Sequence, residues 1–577
     1  MKKMLMLYVF KPYFSLLLHE TTRFPALFAL KRKVFHYLFV ILSQQKPLYT
    51  IIFMLKKIRL ILAIIFWVFI TWLLVDFTGT AHAYLGWMAK IQFVPALLAL
   101  NVGALLFVVT LTLLLGRIYC SVICPLGVMQ DAIAWLRCKK NKYSYSPAKN
   151  TLRYTMLVLA CAALALNVAW LGGIIFPYST YGRIVSTCVA PLYKLANNGL
   201  AAMAEHYGSY AFYEVDVWVK SISALVVALL TWGIIAVLAW RGGRTWCNTI
   251  CPVGTLLGLI SSKSYFKMSI DADKCKNCRK CERNCKAACI DLATHTVDTS
   301  RCVVCGNCEL QCAHDALHFT SNSQPQSEIP LKVEDSGKKA SPRGGSDGTD
   351  RRAVLTSVAL LAGTALAKAQ SKMKPKTTDG GFADIIKKEK PKRDKLITPP
   401  GSLSIRNLRT HCTACQLCID ACPNDVLRPS SSLDRFMQPE VSYERGYCRP
   451  ECTRCSEVCP TSAIRPVTVE ERTAIQVGHA VWTRDLCVPV KDGKPCGLCA
   501  RKCPAQAIQM VPLQAGVHQD GRRWRDADNQ EIPREKVLLI PVVNEEKCIG
   551  CGACENLCPS SPISAIYVEG HEVHREI

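Results

Sequence analysis

Cysteine recurs in this chain as six tight groups of four, and no other feature restricts the fold as strongly. Four of the six share one spacing, and the first two of these are Cys275, Cys278, Cys281, Cys285 and Cys302, Cys305, Cys308, Cys312. Four more fill the C-terminal third. They are Cys412, Cys415, Cys418, Cys422; then Cys448, Cys452, Cys455, Cys459; then Cys487, Cys496, Cys499, Cys503; and Cys548, Cys551, Cys554, Cys558. Pro423, Pro460, Pro504 and Pro559 follow the last cysteine of these four. Thiols two or three residues apart are too close to staple distant loops, but they can converge on one metal centre. Three on a tight loop wrap three iron corners of a cubane, and the fourth, on the following helix, reaches the neighbouring cluster. Gly306, Gly497, Gly550 and Gly552 let the loop backbone approach the inorganic sulfides. Zinc sites use separated cysteine pairs, often with histidine, and do not show this fourfold run. The expectation is therefore six [4Fe–4S] clusters held by these cysteines.

The crossover rule also sets ligand pairing. Cys275, Cys278 and Cys281 should share a cluster with Cys312, and Cys302, Cys305 and Cys308 with Cys285. In the C-terminal third two schemes remain open. Either neighbouring groups pair, or the first pairs with the fourth and the second with the third.

Half of the residues are hydrophobic, and four stretches lack charge long enough to cross a bilayer: Leu60–Val75, Ile91–Gly116, Tyr154–Phe176 and Ser221–Trp240. Lys56, Lys57 and Arg59 precede the first. Seven basic residues from Arg117 to Arg153 separate the second from the third, and Arg241 and Arg244 follow the fourth. The intervening loops on the other side are poor in Lys and Arg. The positive-inside rule then places both ends of a four-helix unit in the cytoplasm. The formal charge of +26 falls to about +14 once six dianionic clusters are counted. Topology accounts for part of the remainder, and no nucleic-acid partner is expected.

Residues 1–53 contain no full span, and Met54-Leu-Lys-Lys-Ile-Arg reads like a natural start. The expected order is an extension over 1–53, a four-span membrane domain over 54–245 and a cytoplasmic two-cluster ferredoxin over 246–320. A linker follows over 321–349. Arg351-Arg352-Ala353-Val354-Leu355, an uncharged run and Ala367-Lys368-Ala369 resemble a twin-arginine export signal over 350–370. A basic linker over 371–400 and a four-cluster domain over 401–577 complete the chain. One more crossing at the signal puts that last domain in the periplasm.

Two further cysteine pairs stand outside the six groups: Cys120-x3-Cys124-Pro125 and Cys247-x3-Cys251-Pro252. Each follows Gly-Arg and lies just beyond the cytoplasmic end of a span, so the membrane unit reads as an internal duplication. These four thiols are candidates for metal binding, redox chemistry or a docking surface. Of the rest, Cys161 reads as a small core residue, Cys289 as a near-cluster residue, and Cys138 and Cys188 receive no role. His411 precedes Cys412 and is a candidate to tune that cluster by hydrogen bonding, with a solvated loop histidine as the plainer reading.

On these motifs residues 54–320 resemble the NapH-type membrane ferredoxin family, and Pro177-Tyr178-Ser179 with Tyr181-Gly182-Arg183 resembles its periplasmic loop. Residues 350–577 resemble the NapG (MauM/NapG) polyferredoxins. The resemblance implies an α-helical membrane domain plus α+β ferredoxin-like domains, one two-cluster and one four-cluster. It implies a cytoplasmic-membrane protein that takes electrons from quinol and the quinone pool and passes them to a periplasmic reductase or cytochrome. It also favours the nested pairing of the C-terminal groups. No flavin, haem or molybdopterin signature is evident, so the terminal reductase is expected to be another protein. An assembly factor for a metal-containing respiratory enzyme is the alternative.

Overall fold

The computed structural model describes residues 48–137, 143–321, 388–521 and 523–577. The extension before Leu48, Cys138, most of the first linker and the twin-arginine-like segment lie outside these residues.

Apolar composition builds a helical bundle first. Helix α1 (Leu48–Val75) and helix α9 (Ile222–Gly242) are the two long apolar elements. Both are long and apolar enough to cross a membrane. The other two apolar stretches are broken helices rather than single spans. Helix α2 (Phe93–Leu98) stops before Asn101, whose side chain caps the next helix, α3 (Val102–Leu115), by accepting from Ala104 N at 3.1 Å. After α4 (Pro125–Leu136), α5 (Asn150–Ala165) stops at Asn167, held at φ 59°, before α6 (Ala169–Ile175) resumes. Short helix α7 (Pro177–Ile184), then α8 (Ala190–His206), lead to α9, and α10 (Pro252–Ser261) follows it.

The bundle leaves an apolar belt uncovered. Leu62, Ile65, Val68 and Trp72 on α1 and Leu229, Leu230, Ile234 and Val237 on α9 are all exposed. Water does not tolerate an apolar surface of this extent on a folded protein. Cys161 faces outward in the same belt rather than into the core, because the α5 face that packs inward carries Ala160 and Ala163.

Each ferredoxin-like unit is built by strands that flank its cysteine groups. In the first unit β1 (Phe266–Ile270) pairs antiparallel with β4 (Leu317–Ser321), and between them β2 (Ile290–Asp291) pairs with β3 (Thr296–Val297). The C-terminal unit repeats this plan. An inner hairpin, β5 (Leu427–Pro429) with β6 (Pro439–Val441), lies between its first two groups. Outer strands β7 (Ile475–Trp482) and β13 (Ile566–Glu576) enclose its last two groups, with β8 (Ile508–Pro512) on β12 (Leu539–Val543) inside. A small three-stranded sheet, β9 (His518–Asp520), β10 (Arg523–Arg525) and β11 (Glu531–Ile532), caps one loop.

The basic stretch before residue 401 is not all linker. Lys388 Nζ donates to the carbonyls of Glu555 and Asn556 at 2.8 and 2.9 Å, and Arg393 pairs with Glu555. Ile397 is buried. These residues belong to the C-terminal unit, which closes on itself where His574 N donates to Leu403 O at 2.8 Å.

The two ferredoxin-like units sit at opposite ends of the bundle. The first docks at the N-terminal end of α1 and the start of α5. Lys56 approaches Gly306, and Arg153 donates to Ser300 Oγ at 3.2 Å. The second docks at the far end of α1, where Arg454 donates to Thr78 O at 3.1 Å, and at the start of α9, where Ala224 packs with Ala414 and Met437.

Candidate metal centres

The first unit forms two thiol-lined cavities. Cys275, Cys278, Cys281 and Cys312 line one; Cys302, Cys305, Cys308 and Cys285 line the other. This is the crossed pairing expected from the spacing, and it arises because β1 closes on β4 around both loops. Otherwise the linings are largely apolar, with Ile270, Leu292 and Leu317 in one and Met268, Ile290 and Val297 in the other. Four inward thiols on an apolar wall suit a cubane, whose inorganic sulfides need few donors.

In the C-terminal unit neighbouring groups pair, and the nested scheme is corrected. Cys548, Cys551 and Cys554 line a cavity with Cys503, while Cys487, Cys496 and Cys499 sit with Cys558. Cys412, Cys415 and Cys418 gather with Cys459, and Cys448, Cys452 and Cys455 with Cys422. The reason is the strand plan. The inner hairpin between two consecutive groups folds the second back on the first, so each fourth cysteine meets its sequence neighbour.

The four C-terminal sets form a row. The first and second meet where Cys418 approaches Cys455. The second meets the set of Cys548 where Cys448 N donates to Cys551 O at 2.9 Å. Tyr443 locks that joint by donating to Gly550 O at 2.6 Å, while its ring lies where a Cβ on Gly552 (φ +77°) would have to go. The set of Cys487 ends the row, and its Cys487, Cys496 and Cys499 are only partly buried beside the exposed loop Lys491–Pro495.

Burial pushes the Cys415 and Cys551 thiols up to about 12 and Cys499 up to about 11. Metal-free thiols here are neutral, so loading them with iron must release protons.

Two buried arginines carry a complementary signal. Arg183 on α7 is 1% exposed, and its Nη2 donates to Ile174 O at 3.1 Å, while Nε and Nη1 have no protein partner. Burial pulls it down to about 10, and among the described residues only the Cys415 sulfur, were it ionised, would oppose that shift. Arg472, fully buried, donates from Nη2 to Cys448 Sγ at 3.2 Å with Nε and Nη1 unpaired. An unmatched guanidinium is costly in a protein interior, and an anionic cluster bound at each site would supply the missing counter-charge. Neither arginine stands out in the sequence except Arg183, through the Tyr-Gly-Arg loop. His411 Nδ1 lies 3.1 Å from Asn407 O, one turn back on its own helix.

The Cys-x3-Cys-Pro pairs converge. Cys120, Cys124, Cys247 and Cys251 are all buried and mutually close. The two repeats cross: Arg117 donates to Cys247 O at 3.3 Å and Arg244 to Cys120 O at 2.5 Å. Gly127 and Gly254 make room, since a Cβ there would lie 2.3 Å from Cys120 O and 2.2 Å from Cys247 O respectively. Arg244 also pairs with Asp131 at 2.7 Å, as does Lys286 at 2.5 Å. Burial raises Asp131, and the two cations more than offset it, holding the carboxyl well below its usual range. Gln130 Nε2 lies 3.2 Å from Cys247 Sγ. Among the described residues no group of three or more His, Cys, Asp or Glu is placed to hold a single metal ion, this quartet included. The quartet joins bundle to ferredoxin, as Arg117 donates to Ser300 O and Asn248 to Ala287 O.

Comparison with known proteins matches this architecture. A family model described as a 4Fe-4S binding domain matches residues 97–143 and 224–270, the two halves of the duplication. A 4Fe-4S dicluster domain matches 411–475 and 494–561. The methylamine utilization ferredoxin-type protein MauM of Methylobacillus flagellatus is 32% identical over 170 residues, 28% of this chain and 64% of the relative. MauM of Methylophilus methylotrophus is 30% identical over 191 residues, 31% of this chain and 73% of the relative. The ferredoxin-type protein NapH of Escherichia coli K12 is 28% identical over 192 residues, 33% of this chain and 54% of the relative. The chain thus spans about two thirds of the MauM relatives and about half of NapH. No solved structure is a significant match. The chain belongs to the MauM family of ferredoxin-type 4Fe–4S proteins, with NapH-type and MauM/NapG-type parts joined in one polypeptide.

Proposed function

We propose that this protein is a multi-pass membrane electron carrier with six [4Fe–4S] clusters, taking electrons from quinol and delivering them through its C-terminal row to a periplasmic reductase or cytochrome. The observation that carries this reading is the docking of the first C-terminal cysteine set directly on the bundle. A Cβ on Gly173 would lie 2.3 Å from Thr413 O, and Lys220 pairs with Asp420 at 2.8 Å. Electrons released at that membrane face have one adjacent entry set and a continuous row leading away to a partly exposed end.

The opposed placement of the units also bears on how the two sides communicate. Residues Lys56–Val75 of α1 span about 30 Å, a hydrocarbon thickness. No cysteine set bridges that distance among the described residues. A quinone diffusing in the membrane supplies the connection that fixed cofactors do not. Quinol oxidation gives two electrons and two protons; the clusters accept the electrons singly.

The test is reduction of anaerobic, lipid-embedded protein by a quinol analogue. Bleaching of the cluster absorption near 400 nm, about where such clusters absorb, supports the proposal. Clusters that bleach only with dithionite would support the alternative assembly role, for which the buried four-thiol quartet is the favouring observation.

A further inference from the structure

The two cavities of the first ferredoxin-like unit differ by one thiol. The first is lined by four cysteines, one for each iron corner of a cubane. The second is lined by Cys285, Cys302, Cys305 and Cys308, and also by Cys289. Cys289 is 1% exposed, and its Sγ lies 3.6 Å from that of Cys285. It also faces Cys302. The fifth thiol therefore stands on the cavity wall, beside the iron corner that the crossing cysteine serves.

The backbone puts it there through the bend that follows the fourth cysteine in other groups too, where Asp315, Asp425, Ser462 and Gln506 also have positive φ. Cys285 and Cys289 are separated by Lys286, Ala287 and Ala288, and Ala288 adopts φ 51°, a left-handed conformation disfavoured for alanine. That bend and the hydrogen bond from Ala288 N to Cys285 O, 2.9 Å, turn the chain back so that both side chains enter one cavity. The bond from Asp298 N to Cys289 O, also 2.9 Å, fixes the second arm. This group also lacks the proline that follows the fourth cysteine in the C-terminal groups.

We propose that Cys289 is a reserve ligand of this second cluster, able to take the iron corner held by Cys285. In the exchange the iron–sulfur bond to Cys285 breaks and one to Cys289 forms. The proton on the Cys289 thiol passes to the departing Cys285 sulfur. One thiolate replaces another, so cluster charge and oxidation state are unchanged and no outside reactant is needed. The exchange gives the cluster nearest the bundle two ligation states, and it protects the corner if Cys285 is oxidised. The inference rests on the reading that these cavities hold [4Fe–4S] clusters.

The test uses the full chain, purified without oxygen, as Cys285→Ala, Cys289→Ala, the double variant and Cys312→Ala. Iron and sulfide content and the electron paramagnetic resonance spectrum of the isolated protein are measured. A cubane that loses a ligand without replacement sheds one iron and shows the signal of an oxidised three-iron cluster. Cys312→Ala is expected to show that signal, because its cavity offers no fifth thiol. Cys285→Ala is expected to keep the iron content of the parent chain and to lack the signal. The double variant should show it, and Cys289→Ala should match the parent. A three-iron signal in Cys285→Ala as strong as in the double variant would overturn the proposal and leave Cys289 a packing residue. Parent protein free of iron and sulfide would instead overturn the cluster reading beneath it.

Discussion

Gly182 and Cys415 meet backbone to backbone across the junction of bundle and C-terminal unit: a Cβ on the glycine would lie 2.6 Å from the carbonyl oxygen of Cys415. No side chain fits between them, and the next residue, Arg183, reaches the same cysteine loop. The helical bundle thus supplies both the fit and a positive charge at the first set of the row.

Enlarging Gly182 should separate that contact without touching a ligand. Gly182→Val is expected to leave iron content unchanged while slowing quinol-driven reduction of the C-terminal clusters severalfold, because it moves the first cysteine set away from the bundle. Stopped-flow bleaching checks this. Unaltered rates would mean that electrons do not enter at this joint.

Arg183 should act on potential rather than on assembly. Removing a buried cation beside an anionic cluster favours its oxidised form, so Arg183→Gln is expected to lower one midpoint potential by on the order of 60 mV, a tenfold step for one electron. Arg183→Lys should restore part of it. A redox titration resolving the C-terminal signals is the readout, and a uniform shift of all of them would point to general disruption instead.

Ligand pairing gives a sharper genetic prediction. Cys412→Ala and Cys459→Ala should abolish or convert the same cluster signal, and Cys548→Ala and Cys503→Ala another. Under nested pairing Cys412 would instead share its phenotype with Cys558.

Much of this was readable in the chain, and what was not has a physical cause. Ligand identity is local: spacing within one loop decides it, so the six groups, the crossed pairing of Cys285 and Cys312, and the duplication around Cys120 and Cys247 all stand in the sequence. Pairing in the C-terminal unit is set by which strands hydrogen-bond, and β7, β8, β12 and β13 lie far apart in sequence. Helix breaks at Asn101 and Asn167 are single polar residues inside apolar runs, so hydropathy reads through them. Lys388 and Arg393 look like linker charge until their partners around Glu555 are seen. Cys289 differs from a packing cysteine only in the cavity it faces.

The closing strand gives the C-terminal unit a pH dependence. Burial, helped by Arg472 and His571, lowers His574 to about 4 from its usual 6.5. Its Nε2 lies 2.8 Å from Thr398 Oγ1. The folded state therefore holds a neutral imidazole where the unfolded chain takes up a proton. The His574 contribution to stability is expected to be flat above about pH 7 and to fall as pH drops from 6.5 toward 4, by about 2 kcal/mol at pH 5. His574→Gln, which keeps a polar partner for Thr398, should flatten that slope in anaerobic thermal melts. An unchanged slope would assign the acid sensitivity to the cluster thiols.

The most direct test of the central claim is rapid-freeze electron paramagnetic resonance after mixing lipid-embedded protein with a quinol analogue. C-terminal cluster signals are expected to appear first, beginning with the one shifted by Arg183→Gln, at a rate that supports turnover. Reduction confined to the clusters of residues 275–312, or no reduction without dithionite, would contradict it.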